Sequence, residues 1–100
     1  MHASFIQDTF QLIKKDFSLE TTESIEAEEA LLQFLKPIVH QMLNRDFERL
    51  LQVCYRIDLG ENRLKQILHE TDPELMVDEL SVAIIKRQKQ KIEIRRKYSQ

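Results

Sequence analysis

Residues 39–57, VHQMLNRDFERLLQVCYRI, decide the fold. Val39, Leu43, Phe47, Leu50, Cys54 and Ile57 follow one another at steps of three and four, the spacing of one helical face. Met42, Leu51, Val53 and Tyr55 widen that stripe on both sides. A helix apolar over so much of its surface is contacted from more than one direction, so this stretch predicts a central helix. Its one intruder is Asp46, one turn from Leu43 and from Leu50. A carboxylate inside an apolar stripe needs a partner, and the expectation is an ion pair with a cation on another helix, Arg87 being the candidate.

Working toward the N-terminus, the central helix extends back to about Glu23, with Pro37 inside it. Proline lacks an N–H and crowds the preceding turn, so a kink or break is expected near Phe34 to Lys36. Glu23, Glu26, Glu28 and Glu29 place negative charge where the helix dipole favours it. Before a polar linker at 16–24, Ile6, Phe10, Ile13 and Phe17 form the stripe of a short helix at about 5–15. Toward the C-terminus, Asp58 and Glu61 have capping-box spacing and open a helix at about 60–70. Thr71-Asp72-Pro73-Glu74 then starts a long helix at about 73–97, with Pro73 in the first helical position.

The expected fold is therefore all-α. It is a compact three- to four-helix bundle and a single domain over 1–100, with helices at about 5–15, 23–57 interrupted near 37, 60–70 and 73–97. Composition agrees: 42% hydrophobic and 32% charged residues make a core-forming chain, and one glycine and two prolines leave little for tight strand turns. The lone Cys54 excludes an intrachain disulfide. The N-terminal MHASFIQDTFQLIKK lacks the basic and apolar regions of a signal peptide, and no apolar run has the length of a membrane span. A cytoplasmic protein without membrane association is expected.

Net charge is −2, but it is unevenly spread. Residues 1–30 hold seven acids and two lysines, whereas residues 86–100 hold seven Lys/Arg and one Glu. On a helical wheel the stripe of Val77, Leu80 and Ile84 continues through Arg87, Lys91, Arg95 and Tyr98, so the apolar seam becomes basic. Ile85 and Ile92 form a second, thinner stripe to one side. If the last helix packs antiparallel on the central one, Arg87 reaches Asp46, and Lys91 and Arg95 approach Glu23 to Glu29. The alternative is a helix end that projects past the core.

Chemistry-bearing patterns are few. His2, His40 and His69 have no metal-ligand spacing with one another, with Cys54 or with an acid. Cys54 sits mid-stripe, where a thiol is packed rather than reactive. One glycine cannot build a phosphate-cradling loop, and no nucleophile elbow is present. No enzyme, cofactor, metal or small-molecule ligand is expected. The candidate interaction surface is the basic end: Lys86, Arg87, Lys89, Lys91, Ile92, Arg95, Arg96 and Lys97. It can pair with the acidic N-terminal third, face an acidic protein, or hold phosphates of RNA or DNA. In a net-acidic chain whose only aromatic there is Tyr98, the first two rank above nucleic acid.

The stretches MLNRDFERLLQVCYRIDLGENRLKQIL and IIKRQKQKIEIRRKY resemble a group of small uncharacterised all-helical bacterial proteins. In these an apolar helix ending in Tyr-Arg-Ile-Asp, here Tyr55 to Asp58, precedes a short helix and a basic C-terminal helix. The likeness covers about the last 60 residues and implies a helical, bacterial, non-enzymatic protein. The expected function is a protein-interaction module: an adaptor, an assembly factor, or a subunit that dimerises through Ile85, Ile92 and the flank of the central helix. An RNA- or DNA-associated accessory protein is the alternative.

Overall fold

The computed structural model describes residues 4–98, and they form five α-helices: α1 Phe5–Phe17, α2 Glu28–Arg45, α3 Phe47–Arg56, α4 Glu61–Glu70 and α5 Pro73–Tyr98. The all-helical expectation holds, but the described chain has five helices rather than three or four. The Ser4 hydroxyl starts α1 by accepting from the Gln7 N–H at 2.9 Å. One core draws on all five helices, among others through Phe10, Leu35, Leu50, Ile67 and Ile84.

The extra helix arises because the expected central helix breaks at a different place. The helix runs through Pro37 without interruption and stops at Asp46. Pro37 and Gln33, whose carbonyl loses its helical donor to the proline ring, both face solvent. On the other face Leu31, Leu35, Val39 and Met42 are buried and hold the turns in place. Pro37→Ala should therefore restore one hydrogen bond without touching the core. An increase in unfolding free energy of about 1–2 kcal/mol in urea denaturation is expected, less than the full helix-propensity difference because proline also restricts the unfolded chain.

At Asp46 the backbone leaves the helix (φ −149°, ψ 51°) while still serving both neighbours. Its N–H donates to the Met42 carbonyl at 2.9 Å and its carbonyl accepts from the Leu50 N–H at 3.1 Å. Just before it, the Asn44 amide donates to the His40 carbonyl at 2.9 Å, the local competition by which Asn weakens a helix end. The chain then reverses. Lys36 pairs with Asp78 at 3.3 Å and Glu28 with Lys89, so α2 and α5 are antiparallel. A straight helix would carry Ile57 about 30 Å beyond Lys36, past the start of α5. Instead the Ile57 carbonyl accepts from Arg87 Nε at 3.0 Å, well along α5.

This reversal corrects the proposed Asp46–Arg87 ion pair. Asp46 is exposed, with Arg49 Nη1 3.9 Å from its carboxylate, and Arg87 lies beside Asp58. The acid within the stripe marked a helix boundary, not a buried charge.

Of the two arrangements the sequence left open for the last helix, the antiparallel one is observed on α2, but with other pairings than expected: Lys89 meets Glu28, and Lys91 has Asp16 rather than Glu23 to Glu29 as its acidic neighbour. α1 also lies antiparallel to α5: Arg96 meets Asp8 at 2.6 Å and Gln88 Nε2 donates to Asp16 at 2.7 Å. The core seam of α5 drifts along its length. Near the start it is Leu80 and Ile84; farther on it passes through Ile85, Gln88 and Ile92, all at most 4% exposed. The thinner Ile85/Ile92 stripe is thus the buried one, because α1 and α2 pack there, and neither residue is available for a dimer contact. That corrects the dimer surface expected from the sequence.

Three arginines close helix C-termini. Arg49 Nη2 donates to the Phe17 carbonyl at 2.8 Å, Arg56 Nη1 to the Asp16 carbonyl at 3.2 Å, and Arg87 to Ile57. Each satisfies an otherwise unpaired terminal carbonyl and places positive charge at the negative end of a helix dipole. The α3–α4 turn between them needs Asp58 at φ 61° and Gly60 at φ 103°, the latter a conformation that only glycine takes readily.

Candidate interaction groove

Helix α3 carries two apolar faces. Leu50, Val53, Cys54 and the following Ile57 point into the core. Phe47, Leu51 and Tyr55, spaced by four residues, lie about 100° round the helix. They form one wall of a groove of about 650 Å³. Leu43 of α2 extends that wall, α4 supplies the opposite wall through Leu64 and Leu68, and Met76 and Val77 of α5 complete the lining. Phe47 is 42% and Tyr55 61% exposed, so the groove is open along this wall. The breadth of the stripe at 39–57 thus has two sources: a face that folds the chain, and a second face on which Leu43 and Leu51 are partly buried against the core while Phe47 and Tyr55 stay exposed among the described residues.

Polar groups are confined to the rim, where several satisfy one another. Lys65 pairs with Glu61 at 3.2 Å along α4. Asn44 lies 3.4 Å from His40 Nε2 besides bonding its carbonyl. The groove also gathers His40 and His69 on its lining, a juxtaposition their separation in sequence conceals. Among the described residues no group of three or more His, Cys, Asp or Glu side chains is placed to hold a metal.

The basic C-terminal residues do not form one surface. Lys86, Arg95 and Lys97 are exposed. Arg87 and Lys89 are engaged with Asp58 and Glu28, and Arg96 with Asp8 and the Phe5 ring, 5.5 Å from its centroid. Lys91 is half-buried, and desolvation lowers its pKa, opposed by Asp16 beside it. Ile92 is inside the core. The helix end is docked rather than projecting. Its surface ion pairs are worth only about 0–1 kcal/mol each, so the packing of Ile85 and Ile92 holds it down more than the charges do.

Cys54 is 1% exposed, and burial pushes its thiol pKa up to about 11. Native protein should label with a thiol reagent only as fast as it opens. Because the unfolded thiol ionises first, at about 8.5, the stabilising contribution is full below that pH. It is lost as pH rises toward about 11. Urea unfolding across this range, compared with Cys54→Ala, should show the extra loss in the wild type alone.

No helix among the described residues is long and apolar enough to cross a membrane. No protein-family model matches the chain, and no curated protein or solved structure matches it either.

Proposed function

We propose that this chain is a non-catalytic helical interaction module and that the groove between α3 and α4 is its binding site. The observation that carries this reading is the uncovered second face of α3, Phe47, Leu51 and Tyr55. Apolar surface gathered in one place and rimmed by polar groups is how interaction sites differ from the scattered apolar residues of an ordinary surface. Its content also fits: Phe, Tyr and Met are enriched at protein interfaces. The nucleic-acid alternative draws support only from Lys86, Arg95 and Lys97, since Arg87, Lys89 and Arg96 already have acidic neighbours.

A photo-crosslinking amino acid at Tyr55, compared with one at Lys86, tests the assignment in the cell that makes the protein. A discrete protein adduct is expected from position 55, absent from position 86 and lost when Phe47→Glu is added. Adducts formed at position 86 alone and containing nucleic acid would overturn the proposal in favour of the basic-helix reading.

A further inference from the structure

We infer that α1 is a hinged arm: it undocks from α5 as a unit while α2 to α5 stay folded, and Gln88 in its seat sets how readily it does so. The connections between helices point to this division. Asp46 alone joins α2 to α3, and residues 57–60 and 71–72 make the next two turns. The longer stretch 18–27 separates α1 from α2. Within it Leu19 packs on the core and closes α1, its N–H donating to the Lys14 carbonyl at 2.8 Å. Ile25 is buried and anchors the far side. Between these anchors Glu20, Thr21, Thr22, Glu23 and Ser24 are neither helix nor strand, and all but Thr21 are exposed. The Glu23 N–H donates to Thr21 Oγ1 at 3.1 Å, a bond local to the segment. A polar stretch on the surface is where a chain bends at least cost.

The seat of α1 is partly polar. α1 packs chiefly on α5, held by Phe10, Ile13 and Phe17, each at most 1% exposed. Beneath it the buried seam of α5 runs Ile85, Gln88, Ile92, so its middle position is an amide. Gln88 Nε2 donates to Asp16 at 2.7 Å, but Gln88 Oε1 is buried without a partner. Lys91, one turn on, is half-buried. Undocking returns both groups to water, which offsets part of the cost of exposing the apolar residues. A polar residue within an apolar seam weakens helix pairing in the same way.

The rest of the fold has a core of its own. α2 packs on α3 and on α5, and α4 packs on α5, pairings that do not involve α1. Leu35, Val39, Leu80 and Ile84 are fully buried there.

Native-state hydrogen exchange of the full chain at low urea concentrations tests the arm. Amides of α1 from Phe10 to Lys14, corrected for intrinsic rates, should exchange about tenfold or more faster than those of α2 around Leu35, and with a weaker dependence on urea, because a local opening exposes little surface. Val39→Ala weakens the remainder of the fold, so it should speed exchange in α2 about fivefold or more and leave α1 unchanged. Gln88→Leu removes the unpartnered oxygen and should slow exchange in α1 about threefold or more. Equal exchange in α1 and α2, with equal urea dependence and equal acceleration by Val39→Ala, would show that α1 opens only with the whole fold and would overturn the arm. Exchange in α1 that Gln88→Leu leaves unchanged or speeds would overturn the role of Gln88.

Discussion

Leu50→Ala is expected to lower the unfolding free energy by about 2–5 kcal/mol, the range for removing most of a buried leucine side chain. Leu50 is 1% exposed and lies where α3 faces the core alongside Val53, Cys54 and Ile57. Its neighbour Leu51 is half-buried and points into the groove. Leu51→Ala should therefore be the milder change, by at least about 1 kcal/mol in urea unfolding at equal denaturant sensitivity. Two adjacent leucines of one helix would then report two different uses of apolar surface. Equal losses at both positions would mean that the second face is core as well.

Ile92→Glu carries the other large expectation, a loss of about 4 kcal/mol or more. Ile92 is 2% exposed, in the part of α5 that packs against α1. The substitution removes buried apolar volume and puts a carboxylate in its place, and such a group must stay ionised without its water shell or take up a proton. Denaturation should show the loss, and hydrogen exchange should show it first in α1 and the second half of α5. A projecting helix end would instead tolerate the change within about 0.5 kcal/mol, as exposed sites do.

Both expectations depend on features that the sequence showed unevenly. Helical class, the start of α5 at Pro73 and the burial of Cys54 were all legible, because each follows from spacing or capping within one segment, whereas the docking of the basic end was one of two arrangements that charge alone left open. The place of the central break was not. Pro37 carries the strongest local penalty, yet tertiary packing of Leu31, Leu35, Val39 and Met42 overrides it. Asp46 carries a weaker local signal, with Asn44 beside it, and there the chain turns. A polar residue interrupting an apolar stripe has two readings, a buried charge or an end of the helix, and periodicity alone does not separate them.

The register of α5 was hidden for a related reason. A wheel built from Leu80 and Ile84 extrapolates to Arg87, Lys91 and Arg95, but α1 covers the other flank, so Gln88 and Ile92 are buried instead. The cations at 49, 56 and 87 contact carbonyls at helix ends brought near by the fold, and no linear pattern encodes that. Of the candidate site, the sequence disclosed the excess breadth of the apolar stripe. It did not disclose that Phe47 and Tyr55 would remain exposed, which requires knowing that α4 packs on α5.

The most direct test of the central claim, that the outer face of α3 serves binding and not folding, is the urea unfolding of Phe47→Ser/Tyr55→Ser. Serine matches phenylalanine and tyrosine closely in helix propensity, so the comparison isolates side-chain packing. The account predicts an unfolding free energy within about 1 kcal/mol of wild type, since neither ring is core: Tyr55 is mostly exposed and Phe47 is 42% exposed. A loss of about 3 kcal/mol or more, the mark of buried aromatics removed from a core, would show that the groove is closed in solution and would contradict it.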